Sequence, residues 1–141
     1  MASPKFDDTS AGTEIAPRQF QVQRRDLVRY AGASGDFNVI HWNERIAKSV
    51  GLPDVIAHGM LTMALAGRFL SEWADDPGAV TEFGVRFSSP VVVPDDDKGA
   101  LVEFSGVVTG RLDGRTVSVD VTARSGDAKV LTRAQAVVRL A

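Results

Sequence analysis

The sequence predicts an α+β fold in which a curved antiparallel sheet wraps one buried central helix. Three observations carry this reading. Gly59 to Trp73 is apolar almost all the way round until Arg68, which marks a helix buried on most sides. The runs that follow it alternate apolar and polar residues with period two, as half-buried antiparallel strands do. Asp113-Gly114 and Ser125-Gly126-Asp127 separate the last of these runs with residues suited to hairpin turns.

In chain order, Met1 to Gly12 reads as a loose N-terminal arm of a single domain spanning 1–141. Arg18 to Val22 forms a short first strand, with Pro17 marking its start. From Arg25, the residues Leu27, Val28, Tyr30 and Ala31 fall at helical spacing, and the helix stops near Ser34-Gly35. Asp36 to Asn43 is a non-helical connection. Glu44 to Val50 makes one or two helical turns, closed by Gly51 and Pro53. The central helix is about 22 Å long; Thr62, Gly67 and Arg68 interrupt its apolar run, and Asp75-Asp76-Pro77-Gly78 ends it.

Four strands follow. Thr81, Phe83, Val85 and Phe87 alternate with polar neighbours and glycine, the Leu101–Gly110 run comes next, and Val117 to Ala123 and Ala134 to Leu140 alternate again. Asp95-Asp96-Asp97 is a solvated loop tip, because a calcium loop would need further oxygen ligands at fixed offsets.

Composition narrows the function. Hydrophobic residues make up 44% and charged residues 24%, the balance of an ordinary globular chain. A net charge of −2 gives no basic field for nucleic acid or an anionic membrane. There is no cysteine, which removes thiolate nucleophiles and thiolate metal sites and fits a reducing compartment. The acidic, polar stretch Met1 to Glu14 is not a signal peptide, and Met60 to Leu70 is too short to cross a bilayer. A cytoplasmic protein is expected.

The chemistry gathers in two places. Only two histidines occur, His41 and His58, and each taken alone could be a packing or surface residue. Seventeen residues apart and without cysteine, they offer too few ligands for a metal. The segment Ser34-Gly35-Asp36-Phe37-Asn38-Val39-Ile40-His41-Trp42-Asn43 changes their meaning. Its glycine and asparagine permit a bend that brings the Asp36 carboxylate and the His41 imidazole onto one small atom, such as a water. The Asn38 amide can fix that bend through nearby backbone. Taken alone, Asp36 could equally be a helix-end or turn residue. Downstream, Ala57-His58-Gly59 opens the central helix, where backbone N–H groups lack internal partners and negative charge is favoured. A Gly59 N–H aimed at a thioester oxygen would stabilise an enolate as it forms.

These residues resemble the MaoC/(R)-specific enoyl hydratase family, whose pattern is an aromatic residue, S-G-D-x-N-P-hydrophobic-H-x-[DN], and a later A-H-G. Here it reads Tyr30, Ser34-Gly35-Asp36-Phe37-Asn38-Val39-Ile40-His41-Trp42-Asn43 and Ala57-His58-Gly59, with Val39 in place of the usual proline. The similarity continues through Ile56–Met63 and Val80–Phe87, and within the family it is closest to the catalytic B subunit of the (3R)-hydroxyacyl-ACP dehydratase of type II fatty acid synthesis. It implies a hot-dog fold, no cofactor, and a homodimer or a heterodimer with a related subunit. It implies an acyl-ACP or acyl-CoA substrate whose water is held by Asp36 and His41 and whose carbonyl rests on Gly59, with Ser34, Gly35, Asn38 and His58 in support. A hot-dog thioesterase would carry its acid on or beside the central helix, where only Glu72 occurs, at the far end. A non-catalytic partner subunit would lack the aspartate–histidine pair.

Overall fold

Alternation along the second half of the chain becomes a continuous antiparallel ladder in the computed structural model, which describes residues 2–141. Strands β1 (Glu14–Val22), β2 (Val80–Phe87), β3 (Ala100–Leu112), β4 (Thr116–Ser125) and β5 (Ala128–Arg139) form one sheet of order β1-β3-β4-β5-β2. Val117, Val119, Val121 and Ala123 on β4 are buried, as are Ala134, Ala136 and Val138 on β5. Asp120, Arg124, Gln135 and Arg139 between them face outward. Gly114 and Gly126 turn the two hairpins with φ of 71° and 59°, a left-handed conformation that costs glycine little.

Three α-helices accompany the sheet: α1 (Arg24–Ser34), α2 (Glu44–Ser49) and the central α3 (Gly59–Ala74). A reciprocal capping box between Gln23 and Asp26 opens α1. Phe69 and Leu70 drive α3 onto the sheet, where the Phe69 ring stacks on Phe104 at 6.1 Å and Phe104 meets Phe20 edge-on at 5.7 Å. Each such buried side chain stabilises the fold by about 1.5–3 kcal/mol. No helix among the described residues is long and apolar enough to cross a membrane.

Four expectations need correction. The N-terminal arm is tied down: the Phe6 N–H donates to the Ala141 carbonyl, and Arg111 reaches the carbonyls of Asp7 and Thr9. Thr9 is itself buried. Residues this close to the first strand find partners on β3 and at the chain end, which no local pattern announces. The first strand begins at Glu14 rather than Arg18, and Pro17 sits in an irregularity between Ile15 and Arg18 where its missing N–H breaks no ladder bond. The central helix is covered on most sides but leaves one stripe open, which its apolar residues did not announce. Met60, at 56%, and Ala64 are exposed in line with Arg68 and Glu72, while the rest of the helix is buried or half-buried.

The fourth correction concerns β2, the edge strand opposite β1. Phe83 and Val85 are half-buried, while Thr81 and Phe87, expected to be covered like them, are exposed. Between Gly84 and Arg86 the pairing with β5 slips, and Arg133 opposite takes φ 46°. The extra residue there lies on β5, so β2 keeps its own alternation. Phe87 stands opposite the buried Leu131, exposed as the last residue of an edge strand. A second slip, between Val80 and Glu82, leaves Thr81 unpaired in the ladder.

Candidate active site

A chain of side-chain caps bends the segment after α1. Gly35, at φ 77°, closes the helix with its N–H on the Ala31 carbonyl at 2.9 Å. Ser34 Oγ then accepts from the Asp36 N–H at 3.2 Å, Asp36 Oδ1 from the Asn38 N–H at 3.1 Å, and Asn38 Oδ1 from the Ile40 N–H at 3.3 Å. Every second residue thus holds the backbone two positions on, which replaces helix with a tight curl. Val39 opens the single 3₁₀ turn Val39–His41, a first-turn position that proline also suits. Nothing chemical is lost by the substitution.

The curl brings Asp36 Oδ2 to 3.9 Å from His41 Nε2. That gap exceeds a direct hydrogen bond and fits one water accepted by both groups. His41 Nδ1 lies 2.7 Å from the Ile56 carbonyl. A carbonyl only accepts, so Nδ1 carries the proton and the neutral ring presents Nε2 as a base toward Asp36. The Asp36 side chain is half exposed and the His41 ring nearly enclosed, so one partner meets solvent and the other is held by protein.

His58 lies beneath this pair. It is 1% exposed, donates from Nε2 to the Asp36 carbonyl at 3.1 Å, and stacks on the His41 ring at 3.8 Å with planes 22° apart. The Tyr30 ring meets its edge at 4.8 Å. Burial pushes the His58 pKa below its ordinary value, and the repulsion it would meet from His41 were both rings protonated acts in the same direction, against the Asp36 carbonyl and carboxylate. His58 is therefore neutral, with its Nδ1 lone pair buried and unpartnered among the described residues.

Gly59 begins α3 immediately after His58. A Cβ at this position would come within 3.0 Å of the Phe87 ring. The glycine thus does more than leave space for a carbonyl oxygen, because it also admits an aromatic ring from the edge strand. Asp36, His41, Gly59, Met60, Thr62 and Phe87 line a cavity of about 430 Å³, closed on its inner side by Val91, Val130 and Leu131. A larger hollow of about 650 Å³ on the outer face of the sheet contains none of the predicted site residues.

Every predicted residue therefore gathers at the start of α3, with Ser34, Gly35 and Asn38 shaping the curl. Asp36, His41 and His58 place possible ligand atoms within 4.8 Å of one another. The stacked imidazoles nonetheless hold their lone pairs in near-parallel planes, which cannot both reach one ion at about 2.0–2.1 Å. Their geometry suits proton transfer rather than coordination. Sequence reasoning missed Phe87 and Thr62. Thr62 is buried, lines the cavity, and its hydroxyl bonds no described residue. A polar residue one turn past Gly59 within an otherwise apolar helix was the available signal. Arg24 was missed as well: it binds the Val93 carbonyl at 2.8 Å and Asp54 at 2.6 Å, pinning α1 to the approach to α3.

A curved sheet around one helix, with an aspartate–histidine curl facing the helix start, defines the hot-dog hydratase class. The chain belongs to the MaoC-like domain family, which matches residues 8–127. A solved MaoC-like dehydratase superposes with a TM-score of 0.93 at 47% identity, over 99% of this chain and 43% of that one. The chain is 40% identical over 91 residues to 3-hydroxyacyl-thioester dehydratase X of Mycobacterium tuberculosis, covering 64% of this chain and 29% of that protein. It is 31% identical over 104 residues to an (R)-specific enoyl-CoA hydratase of Rhodospirillum rubrum, covering 73% of this chain and 71% of that protein. The chain thus spans less than half the length of the first two.

Proposed function

We propose that this chain interconverts (3R)-3-hydroxyacyl and trans-2-enoyl thioesters by removing or adding water. One observation carries the reading: a carboxylate and an imidazole base 3.9 Å apart, on a cavity that also holds the first residue of α3. Ionised Asp36 and neutral His41 are both acceptors, so a water between them donates its two hydrogens and turns a lone pair outward. In hydration that oxygen bonds to C3 while one O–H bond breaks toward the pair. The C2–C3 π electrons pass into the thioester, whose developing oxyanion rests on the Gly59 N–H. The pair then returns its proton to C2, so atoms and charge balance, and dehydration is the reverse. Glu72, the acid a thioesterase would need, lies thirteen residues along α3, about 20 Å from Gly59, and is occupied by Arg18 and Arg68.

The test is to mix the purified chain with crotonyl-CoA and with an enoyl-ACP and follow the absorbance of the conjugated thioester. The expected outcome is loss of the signal without thiol release. Asp36→Asn and His41→Gln each reduce turnover by about 10²–10⁴-fold with circular dichroism unchanged. Full activity in either variant, or release of free thiol as the main reaction, overturns the reading.

The assembly we propose is a dimer, with an identical or a related hot-dog subunit, in the cytoplasm, acting in fatty acid elongation. The support is the β2 edge, where Phe83, Val85 and Phe87 stay partly exposed beside Met60. The absence of cysteine suits a reducing compartment. Light scattering on the chain alone, and with a co-expressed related subunit, should give twice the protomer mass in at least one case; a monomer in both excludes it.

A further inference from the structure

We propose that His58 is the positioning residue of the site, a neutral clamp that sets where Asp36 and His41 stand relative to the start of α3. This rests on the reading of Asp36 and His41 as the acid/base pair. One ring makes three connections. Its Nε2–H holds the Asp36 carbonyl at 3.1 Å, its face supports the His41 ring at 3.8 Å, and its own backbone is the cap that precedes Gly59. Among the described residues no other side chain is hydrogen-bonded or stacked to both members of the pair.

Burial makes this ring costly to keep. A histidine 1% exposed with an orphaned ring nitrogen leaves a polar atom without the bond it would make in water, an arrangement that costs stability. Leucine or methionine would fill the same space without that cost. What they could not do is donate to the Asp36 carbonyl while offering a flat face to His41. The curl after α1 is otherwise held at the surface, by the turns from Ser34, Asp36 and Asn38, by the Trp42 indole N–H on the Phe37 carbonyl, and by backbone bonds that begin only at Asn38. Without the clamp the carboxylate is free to swing with the loop, and the ring of His41 keeps a single anchor, its bond to the Ile56 carbonyl. Small displacements of reacting groups are costly: a shift of about 1 Å can lower the rate by about 10²-fold.

The two connections can be separated by substitution. His58→Ala removes both, His58→Gln keeps an N–H donor but loses the aromatic face, and His58→Phe keeps the face but loses the donor. In steady-state hydration of crotonyl-CoA, His58→Ala should lower kcat by about 10²-fold with KM within about twofold. His58→Gln and His58→Phe should each recover part of the loss. Long-range proton–nitrogen spectra should show the His41 ring signals displaced in His58→Ala and His58→Gln, which lose the stacked face, and near their wild-type positions in His58→Phe, while the proton stays on Nδ1 against the Ile56 carbonyl throughout. Should His58→Ala fail to fold, the other two variants decide. Wild-type kcat in all soluble variants, alongside an inactive Asp36→Asn control, overturns the proposal and leaves the acid/base reading standing. Lowered thermal stability with unchanged kcat per folded molecule also overturns it, since that is the mark of a merely structural residue. An active Asp36→Asn control sinks both together.

Discussion

The two ends of α3 are built from different materials. At its start, Gly59 stands beside two stacked imidazoles, His58 and His41, and the Asp36 carboxylate, with an aromatic ring at 3.0 Å from where its Cβ would be. At its close, Glu72 pairs with Arg68 at 2.7 Å and with Arg18, and Asp75 takes a left-handed cap at φ 55°. Both ends border a cavity, but at the close Glu72 is already bound to Arg18 and Arg68 and Asp75 to Ser3, whereas at the start Asp36 Oδ2 and His41 Nε2 stand 3.9 Å apart without a direct bond. The contrast separates chemistry from scaffolding: a charge already matched at the surface is fixed and spent, whereas an acceptor held toward a cavity is free to take a proton.

Paired substitutions sharpen the contrast. Gly59→Ala must push the Phe87 ring by a few tenths of an ångström and so disturb the N–H that the proposed reaction uses to bind the thioester oxygen. It should lower kcat by about 10- to 10²-fold with little change in melting temperature. Glu72→Ala should do the reverse, leaving kcat alone and costing about 0–1 kcal/mol in stability, because its arginine partners are largely exposed. Equal effects of the two on activity would erase the distinction.

A smaller effect is expected from pH. The folded pKa of His58 lies below the unfolded value of about 6.5. Between those two values the unfolded chain binds the extra proton, so stability rises with pH there. Stability present above about 6.5 is therefore lost as pH falls toward the lowered folded value. Melting temperatures at pH 7.5 and pH 5 should differ more in the wild type than in His58→Phe, whose ring cannot be protonated. An equal decline in both places the acid sensitivity elsewhere.

Much of this was legible from residues alone. The meander from β3 to β5 follows period two closely, since each strand there has one wet and one dry face. The curl from Ser34 to Asn43 was readable because serine, aspartate and asparagine bind backbone only two residues away, a local rule. What stayed hidden was long-range. Phe87 was expected in the core, yet at the end of an edge strand it stays half exposed and packs on Gly59, a partner 28 positions earlier. The stacking of His58 on His41 depends on how α1 and α3 meet, and no spacing along the chain encodes that. The docking of the N-terminal arm depends on Arg111 and the Ala141 carbonyl, more than a hundred residues downstream.

Phe87 belongs to two neighbourhoods at once. It is the last residue of the open edge strand, and its ring fills the space that the glycine at the head of α3 leaves vacant. Any chain that zips onto that edge must press on, or release, the same ring. Dilution and subunit exchange would then reach the reaction chamber through a single phenyl group, and specific activity would rise or fall with the company the protein keeps.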